Sequence, residues 1–549
     1  MVATPGHEKR ILLIEDNSTH YRTIMRRLRE EGYTVDRVQT YDDAIHTLMT
    51  KHYHVAIVDL FLVNPPVGEP DGVRILHAIS ESPLARVLTA IILTSYPSTS
   101  SAVEAVNLGL EGLNVTAYIS KLERRYVDRL LTTLGVIFKQ KLKIRFNLDY
   151  ELGCGKRIPQ IAQDILEGEA DKLTVDPEVL KQEIQDLLGK VFYTADRLYI
   201  DSLKPGLTGA AVIQARPTRG GNVEQTYVVK LGRRDKITTE YRRFKKYMSG
   251  LLAGGTVTAV NCAITRDLGA ICYTFAENDH GQALYEFDSF YSDPTIKVEW
   301  VMRSLRHLFD QTYSKLHDQP KRKHSSLPEL YYKAFQLTPE RLIERIQEQI
   351  PDFSLANDYI TLPTTGVQLV NPLAWIEKYS SICTMPVYHA ITHGDLTGRN
   401  LMVDPVRSEG PKPNMSYYKF WLIDFYRTYK SHILRDIVIL ETDIKYRLMT
   451  TPTDEEFIVL ESILAGTIEL AASLPPHLFR AASTILTLRD IGKGMLRANN
   501  DDVKNKEYKL SLLMATLNAV RLKHISPERK QQALVSASLI CEQLSFLIR

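Results

Sequence analysis

Cysteine is scarce in this 549-residue chain: five residues, Cys154, Cys262, Cys272, Cys383 and Cys541, scattered and without a C-x-x-C pair. That spacing excludes a disulfide framework and a cysteine-built zinc site, and leaves buried thiols in a reducing compartment. An excess of one charge is also lacking. With 68 basic and 65 acidic residues the net charge is +3, so nothing global argues for nucleic-acid binding. No uninterrupted apolar run reaches the ~18 residues of a membrane helix. After MVATPGHEKR only four apolar residues precede Glu15, too few for a secretion signal. The expectation is a cytoplasmic protein with no membrane or nucleic-acid partner. Internal repeats and low-complexity tracts are missing as well. What remains, 44% hydrophobic and 24% charged residues, is the balance of a folded protein, and the length implies two or three domains.

Residues 9–138 alternate short apolar runs with amphipathic stretches. ILLI (11–14), VAIVDL (55–60) and TAIILTS (89–95) predict buried parallel strands, and HYRTIMRRLREEG (20–32) and DDAIHTLMTK (42–51) predict helices between them. This alternation specifies a doubly wound α/β sheet. Residues 139–190 read as a helical connector containing the helix 177–190. Strands are predicted at 197–203, 210–217, 225–232 and 270–277, with a charged helix at 238–248. Beyond residue 295 the periodicity is mostly helical, and Thr453 and Glu456 stand in capping-box spacing. PKRKHSS (320–326) reads as a solvated basic loop.

Polar residues close four of the first segment's strands. Glu15 and Asp16 follow the first, Asp59 ends VAIVD, Thr94 ends IILT, and Lys121 follows AYIS. Open α/β sheets bind ligands at these carboxyl ends. The set resembles the receiver domain of two-component response regulators, over roughly residues 1–138. The resemblance implies a flavodoxin-like fold and Asp59 as phosphoacceptor. It implies Mg²⁺ held by Glu15, Asp16 and Asp59, Lys121 pairing with the phosphoryl oxygens, and Thr94 and Tyr118 as the switch. A histidine kinase or phosphotransfer protein would be the donor. Magnesium suits the chemistry because an anionic nucleophile attacks an anionic donor. Leu122 departs from the proline that usually follows the lysine.

A second set begins with ITHGDLTGRNLMVD (391–404), which carries His393, Asp395 and Asn400 in H-x-D-x-x-x-x-N spacing, and continues with Asp424 in WLIDF. It resembles the aminoglycoside and choline phosphotransferases of the protein-kinase-like superfamily. The resemblance implies a bilobal protein-kinase-like fold over 191–549, with a small lobe near 191–280 and a helical large lobe near 281–549. Asp395 would act on the acceptor hydroxyl, and Asn400 and Asp424 would hold Mg²⁺ on ATP. Asp436 resembles the buried aspartate that steadies this loop. Upstream, Gly206 and Gly209 suit a phosphate-binding turn, Lys230 matches the α/β-phosphate lysine, and Glu240 is its natural ion-pair partner. GCGK (153–156) lacks the first glycine of a P-loop and has Arg157 after its lysine.

Two functions from different classes follow. The first is an ATP-dependent phosphotransferase controlled through Asp59 and acting on an unidentified hydroxyl acceptor. The second is a phosphorylation-responsive, nucleotide-binding pseudokinase that recruits a protein partner. Either is compatible with a homodimer. A transcription factor is disfavoured, because no basic recognition helix is present.

Overall fold

The computed structural model describes residues 7–62, 70–95, 113–152, 158–169, 173–202, 210–249, 257–274, 284–363, 365–409, 416–471, 473–496 and 500–548. Two compact units divide the chain. One comprises Met1–Tyr241 and Ala259–Phe275, the other Arg242–Thr258 and Ala276–Arg549.

The first unit holds two sheets. Strands β1 (Arg10–Ile14), β2 (Thr34–Val38), β3 (Val55–Asp59), β4 (Thr89–Thr94) and β5 (Asn114–Ser120) form a parallel sheet in the order β2-β1-β3-β4-β5. This is the flavodoxin-like order. Strands β3 and β4 are buried at every position, as their continuous apolar runs require in a sheet covered on both faces. Helices Ser18–Glu30 and Tyr41–Thr50 start at Asn17 and Thr40, whose side chains accept from the first free N–H groups. The final helix, Tyr126–Val136, runs on as a π-helical turn to Lys141. It starts five residues after Lys121.

The second sheet contains β6 (Asp149–Leu152), β7 (Arg197–Ser202), β8 (Ala211–Arg219), β9 (Asn222–Val223), β10 (Tyr227–Arg233), β11 (Ala259–Ile264) and β12 (Leu268–Thr274). Their order is β11-β12-β10-β8-β7-β6, with β9 on β8. Residues 139–190, expected as a helical connector, instead supply β6 and two helices, Ile158–Gly168 and Pro177–Val191, to this layer. Ile161, Ile165, Leu180, Ile184 and Leu187 share one buried cluster with Leu198, Ile213, Val229 and Ala270. The apolar faces of those helices could not stay in water, so the segment is core.

The other unit is built around the helix Arg435–Asp443, buried along its whole length. Helices Leu327–Phe335, Pro339–Gln347, Asp501–Arg521 and Pro527–Ile548 lie in this unit, as does Asp454–Ala465, whose Thr453–Glu456 capping box is complete. It is less helical than its periodicity suggests. Leu401–Ser408 pairs with Tyr285–Glu286 and Tyr417–Leu422, and Thr384–Thr392 pairs with Lys321–Ser326 and Tyr429–His432. The basic segment read as a loop is thus the edge strand Lys321–Ser326. Its lysines and arginine hid the strand because they carry no apolar alternation, and such charges are what protect an exposed edge. No described helix is long and apolar enough to cross a membrane.

Candidate functional sites

At the carboxyl end of the parallel sheet, strand termini bring four charged groups together. Lys121 Nζ lies 2.6 Å from Asp59 Oδ2 and 2.6 Å from Glu15 Oε2. Glu15, Asp16 and Asp59 offer carboxylate oxygens that all lie within 4.8 Å of one another. Three carboxylates against one ammonium leave negative charge that a hard divalent cation would offset, so the donor set fits Mg²⁺. Burial pushes the Asp59 carboxyl up to about 6, with Lys121 pulling it down and Glu15 pushing it up. Arg37 braces the β1 loop by donating to the carbonyls of Glu15 and Asp16, each at 2.8 Å. Gly72 lets the next helix approach closely: a Cβ there would lie 2.2 Å from the Asp59 carbonyl oxygen.

Thr94 is fully buried at the end of β4, and its carbonyl accepts from the Lys121 N–H at 2.7 Å. Tyr118 sits on β5 opposite Ile92 and packs on the apolar cluster containing Leu12 and Val58. Sequence reasoning missed His20. Burial and Lys121 lower its pKa, while Asp59 and Asp16 raise it, which puts its ring beside the acidic cluster. Its place one turn into the helix that follows Asp16 was the available signal.

Lys230 occupies β10 between Val212 of β8 and Ile271 of β12. Its Nζ meets Glu240 Oε2 at 2.9 Å, both groups are buried, and Glu240 Oε1 accepts from the Tyr273 hydroxyl at 2.5 Å. Gly206 and Gly209 lie outside the described residues.

In the other unit the loop after Thr384–Thr392 carries Asp395 and Asn400. Two aspartates of one buried helix fix it. Asp436 accepts from the N–H groups of His393 and Gly394, each at 2.7 Å, and Asp443 accepts from that of Gly398 at 2.8 Å. Arg435 donates to the Gly394 carbonyl at 2.8 Å, and Arg447 bridges Asp443 and Asp288. His393 Nε2 donates to the Ile423 carbonyl at 2.8 Å, tying this loop to the one bearing Asp424.

Asn400 Nδ2 donates to the Asp395 carbonyl at 2.8 Å, which leaves its Oδ1 available to a metal. Asp424 adopts φ 64°, a left-handed conformation that few non-glycine residues hold without a compensating constraint. Burial raises the Asp395 carboxyl and Asp424 adds repulsion, while Arg427, His393 and Arg435 pull it back. Asn400 and Asp424 present hard oxygens, so this pair also fits Mg²⁺. His432 serves the core: it bonds Tyr331 at 3.0 Å and Glu507 at 2.9 Å.

Comparison with known proteins locates these sites within families. The model for ternary complex associated domain 9 matches residues 196–344 and 339–521, more than half of the chain. The chain belongs to that family. Residues 11–122 match the response regulator receiver domain, so a receiver domain stands at the N-terminal end of this family member. Among solved structures, a CheY-like receiver domain protein from Methanospirillum hungatei JF-1 is 23% identical over 23% of this chain and 91% of that one, with TM-score 0.20. The signal receiver domain of a putative LuxO repressor protein from Vibrio parahaemolyticus is 26% identical over 24% and 91%, also with TM-score 0.20. No curated protein matches the chain.

A further cluster joins the two sheets of the first unit, and nothing in the sequence announced it. Buried Asp186, on the helix Pro177–Val191, meets His52 Nε2 at 2.8 Å, His54 Nε2 at 3.0 Å and His7 Nε2. Nearby, Arg266 donates to the carbonyls of Leu48 and Lys51, each at 3.1 Å. His7, His54 and Asp186 have metal-ligand spacing. However, the Arg10 N–H donates to His54 Nδ1 at 3.0 Å. That nitrogen is therefore bare, Nε2 carries the proton, and His54 donates to Asp186 instead of offering a lone pair to a metal, whose histidine ligands donate from their other nitrogen.

Proposed function

We propose that Asp59 phosphorylation controls an ATP-dependent phosphotransferase formed by the family domain, with a bilobal protein-kinase-like fold. The receiver domain makes the chain a phosphorylation-controlled signalling protein with a phosphodonor such as a histidine kinase. The observation that carries the rest is the loop Thr392–Asn400. Two buried aspartates hold its backbone, Asp395 is followed by an Asn400 with a free oxygen, and Asp424 sits in an unfavourable backbone conformation beside it. Strain of this kind persists where surrounding structure enforces it, and such places are often functional.

In this reading Lys230, held by Glu240, binds the ATP phosphates. Asn400 and Asp424 would hold Mg²⁺, which supplies charge neutralisation on the transferring phosphoryl group. Asp395 takes the proton of the acceptor hydroxyl as that oxygen bonds the γ-phosphorus and the bond to ADP breaks. A carboxyl raised by burial suits a general base. Control has a physical route, because the receiver sheet and the sheet bearing Lys230 share a unit and are bonded through Asp186 and Arg266.

The test is label transfer from γ-labelled ATP with Mg²⁺, offered a metabolite panel and proteins as acceptors. Asp395→Asn should bind ATP like wild type and transfer nothing. Equal ATP consumption by both forms would overturn the enzyme reading and leave a nucleotide-binding recruiter. ATP affinity should also shift ~5–150-fold when a stable phosphoryl mimic occupies Asp59, the range of ordinary allosteric coupling.

A further inference from the structure

Arginines from several elements gather near Asp395. The loop carrying Arg427 runs against the loop carrying Asp395: the Thr428 hydroxyl donates to the His393 carbonyl at 3.2 Å, and a Cβ on Gly394 would lie 2.2 Å from the Arg427 carbonyl oxygen. Arg521 closes the helix Asp501–Arg521. Its guanidinium donates to Asn518 Oδ1 at 2.7 and 3.0 Å and to the Phe335 carbonyl at 3.5 Å, all neutral acceptors. Arg341 and Arg345 stand one turn apart on Pro339–Gln347, which packs against the Arg521 helix. Arg399 lies in the same loop as Asp395, and its Nη1 is buried without a hydrogen-bond partner. Among the described residues, only Arg345 of these five has a carboxylate partner, Glu348.

The electrostatics agree with this inventory. Burial lowers the pKa of Arg521, Arg427, Arg341 and Arg345 lower it further, and the Asp395 carboxylate opposes them. Crowding arginines costs energy that a bound anion offsets. Guanidinium forks match phosphate oxygens in pairs.

We infer that Arg427 and Arg521, assisted by Arg341, form an anion subsite beside Asp395, and that the acceptor is a hydroxyl compound that already carries a phosphate group. This deepens, and rests on, the phosphotransferase reading. ATP would supply the new phosphoryl group, the acceptor hydroxyl would lose its proton to Asp395, and the products would be ADP and a doubly phosphorylated compound. The anchoring phosphate would not react. It would hold the hydroxyl at the base, which is where positioning contributes to rate.

Calorimetry on the full chain, with inorganic phosphate and glycerol 3-phosphate as probes and glycerol as the neutral control, tests the subsite without requiring turnover. Both phosphates should bind and glycerol should not. Arg427→Ala and Arg521→Ala should each weaken phosphate binding tenfold or more. The exposed Arg341→Ala, which does not threaten folding, should weaken it about threefold. Asp395→Asn should tighten it several-fold, because a repelling carboxylate is removed. Arg26→Ala, which removes an exposed arginine from the receiver helix Ser18–Glu30, should leave it unchanged. Phosphate affinity that ignores all three arginine variants and Asp395→Asn overturns the subsite, even if Asp395-dependent transfer from ATP is found. Arginine-dependent phosphate binding with no transfer in any form leaves the subsite standing and removes the enzyme reading.

Discussion

Lys121 Nζ sits 2.6 Å from Asp59 Oδ2 while the Asp59 carboxyl titrates near 6, well above the ordinary aspartate range. Burial and the neighbouring Glu15 therefore outweigh one close ammonium. A carboxyl raised on folding binds its proton more tightly when folded. Its ionisation costs stability, and that cost is absent below about pH 4 and complete above about pH 6. In metal-free buffer Asp59→Asn should stabilise the protein at pH 7 by at most ~3 kcal/mol, at ~1.4 kcal/mol per pKa unit. The gain should vanish as pH falls through 6 towards 4. Urea unfolding at several pH values checks this, and Mg²⁺ should raise the wild-type melting temperature and spare the variant. A small phosphodonor should label wild type once and Asp59→Asn not at all.

Asp186 gives the opposite sign. Burial would raise its carboxyl, but His54 and His52 hold it well below the usual range, and burial lowers His54 while Asp186 raises it. A depressed aspartate loses its stabilising effect as pH falls, and a histidine kept neutral when folded is penalised once the unfolded chain protonates below about 6.5. The histidine effect makes the first unit less stable on acidification from pH 6.5, and the aspartate effect adds to it only below about pH 4. His54→Gln should flatten that slope. Asp186→Ala, which strands His7, His52 and His54 around an emptied site, should cost about 3–5 kcal/mol. A pH-independent melting temperature between 5 and 7 would contradict the arrangement.

The Lys230–Glu240 pair separates binding from structure. Lys230→Ala should weaken ATP binding and take the ammonium away from the buried Glu240 carboxylate, destabilising the unit by about 3–5 kcal/mol. Tyr273→Phe keeps the ion pair and should cost only about 1 kcal/mol, with ATP affinity within threefold of wild type. A larger loss of affinity in Tyr273→Phe than in Lys230→Ala would move the phosphate contact away from Lys230.

Much of this was legible along the chain. Glu15, Asp16, Asp59, Thr94 and Lys121 each terminate an apolar strand, and parallel strands deliver their carboxyl ends to one edge, so periodicity alone brings the residues together. Asp395 and Asn400 were legible because their spacing is local. Asp186 was not, since its three histidines come from residues more than 130 positions earlier and no pattern ties them to a helix at 177–191. The convergence of Arg427, Arg521 and Arg341 is likewise a product of packing. The helix Pro177–Val191 was legible as a helix and Ile158–Gly168 only as part of a helical connector, and amphipathic spacing states that a face is buried without stating against what.

Gly394 offers the sharpest test of how the Asp395 loop is held. It adopts φ +84°, and a Cβ would meet the Arg427 carbonyl oxygen at 2.2 Å and Arg435 Nη1 at 2.9 Å. Its N–H donates to Asp436 and its carbonyl accepts from Arg435. Gly394→Ala must therefore pay for a left-handed backbone and also push the 427 loop away, which would misplace Arg427 as well as Asp395. The expected loss is about 3 kcal/mol or more, from one to two for the conformation and the remainder for the overlap. Asp436→Asn tests the other side of the same contact: an amide can keep only one of the two N–H acceptor roles without flipping, so one buried donor is stranded at about 1–3 kcal/mol. If the loop is held as described, both variants should lose transfer activity by about 100-fold while ATP affinity changes little, because a displacement near 1 Å at a positioned group costs on the order of 10² in rate. Full activity in Gly394→Ala would mean that the approach of the two loops is not required for function.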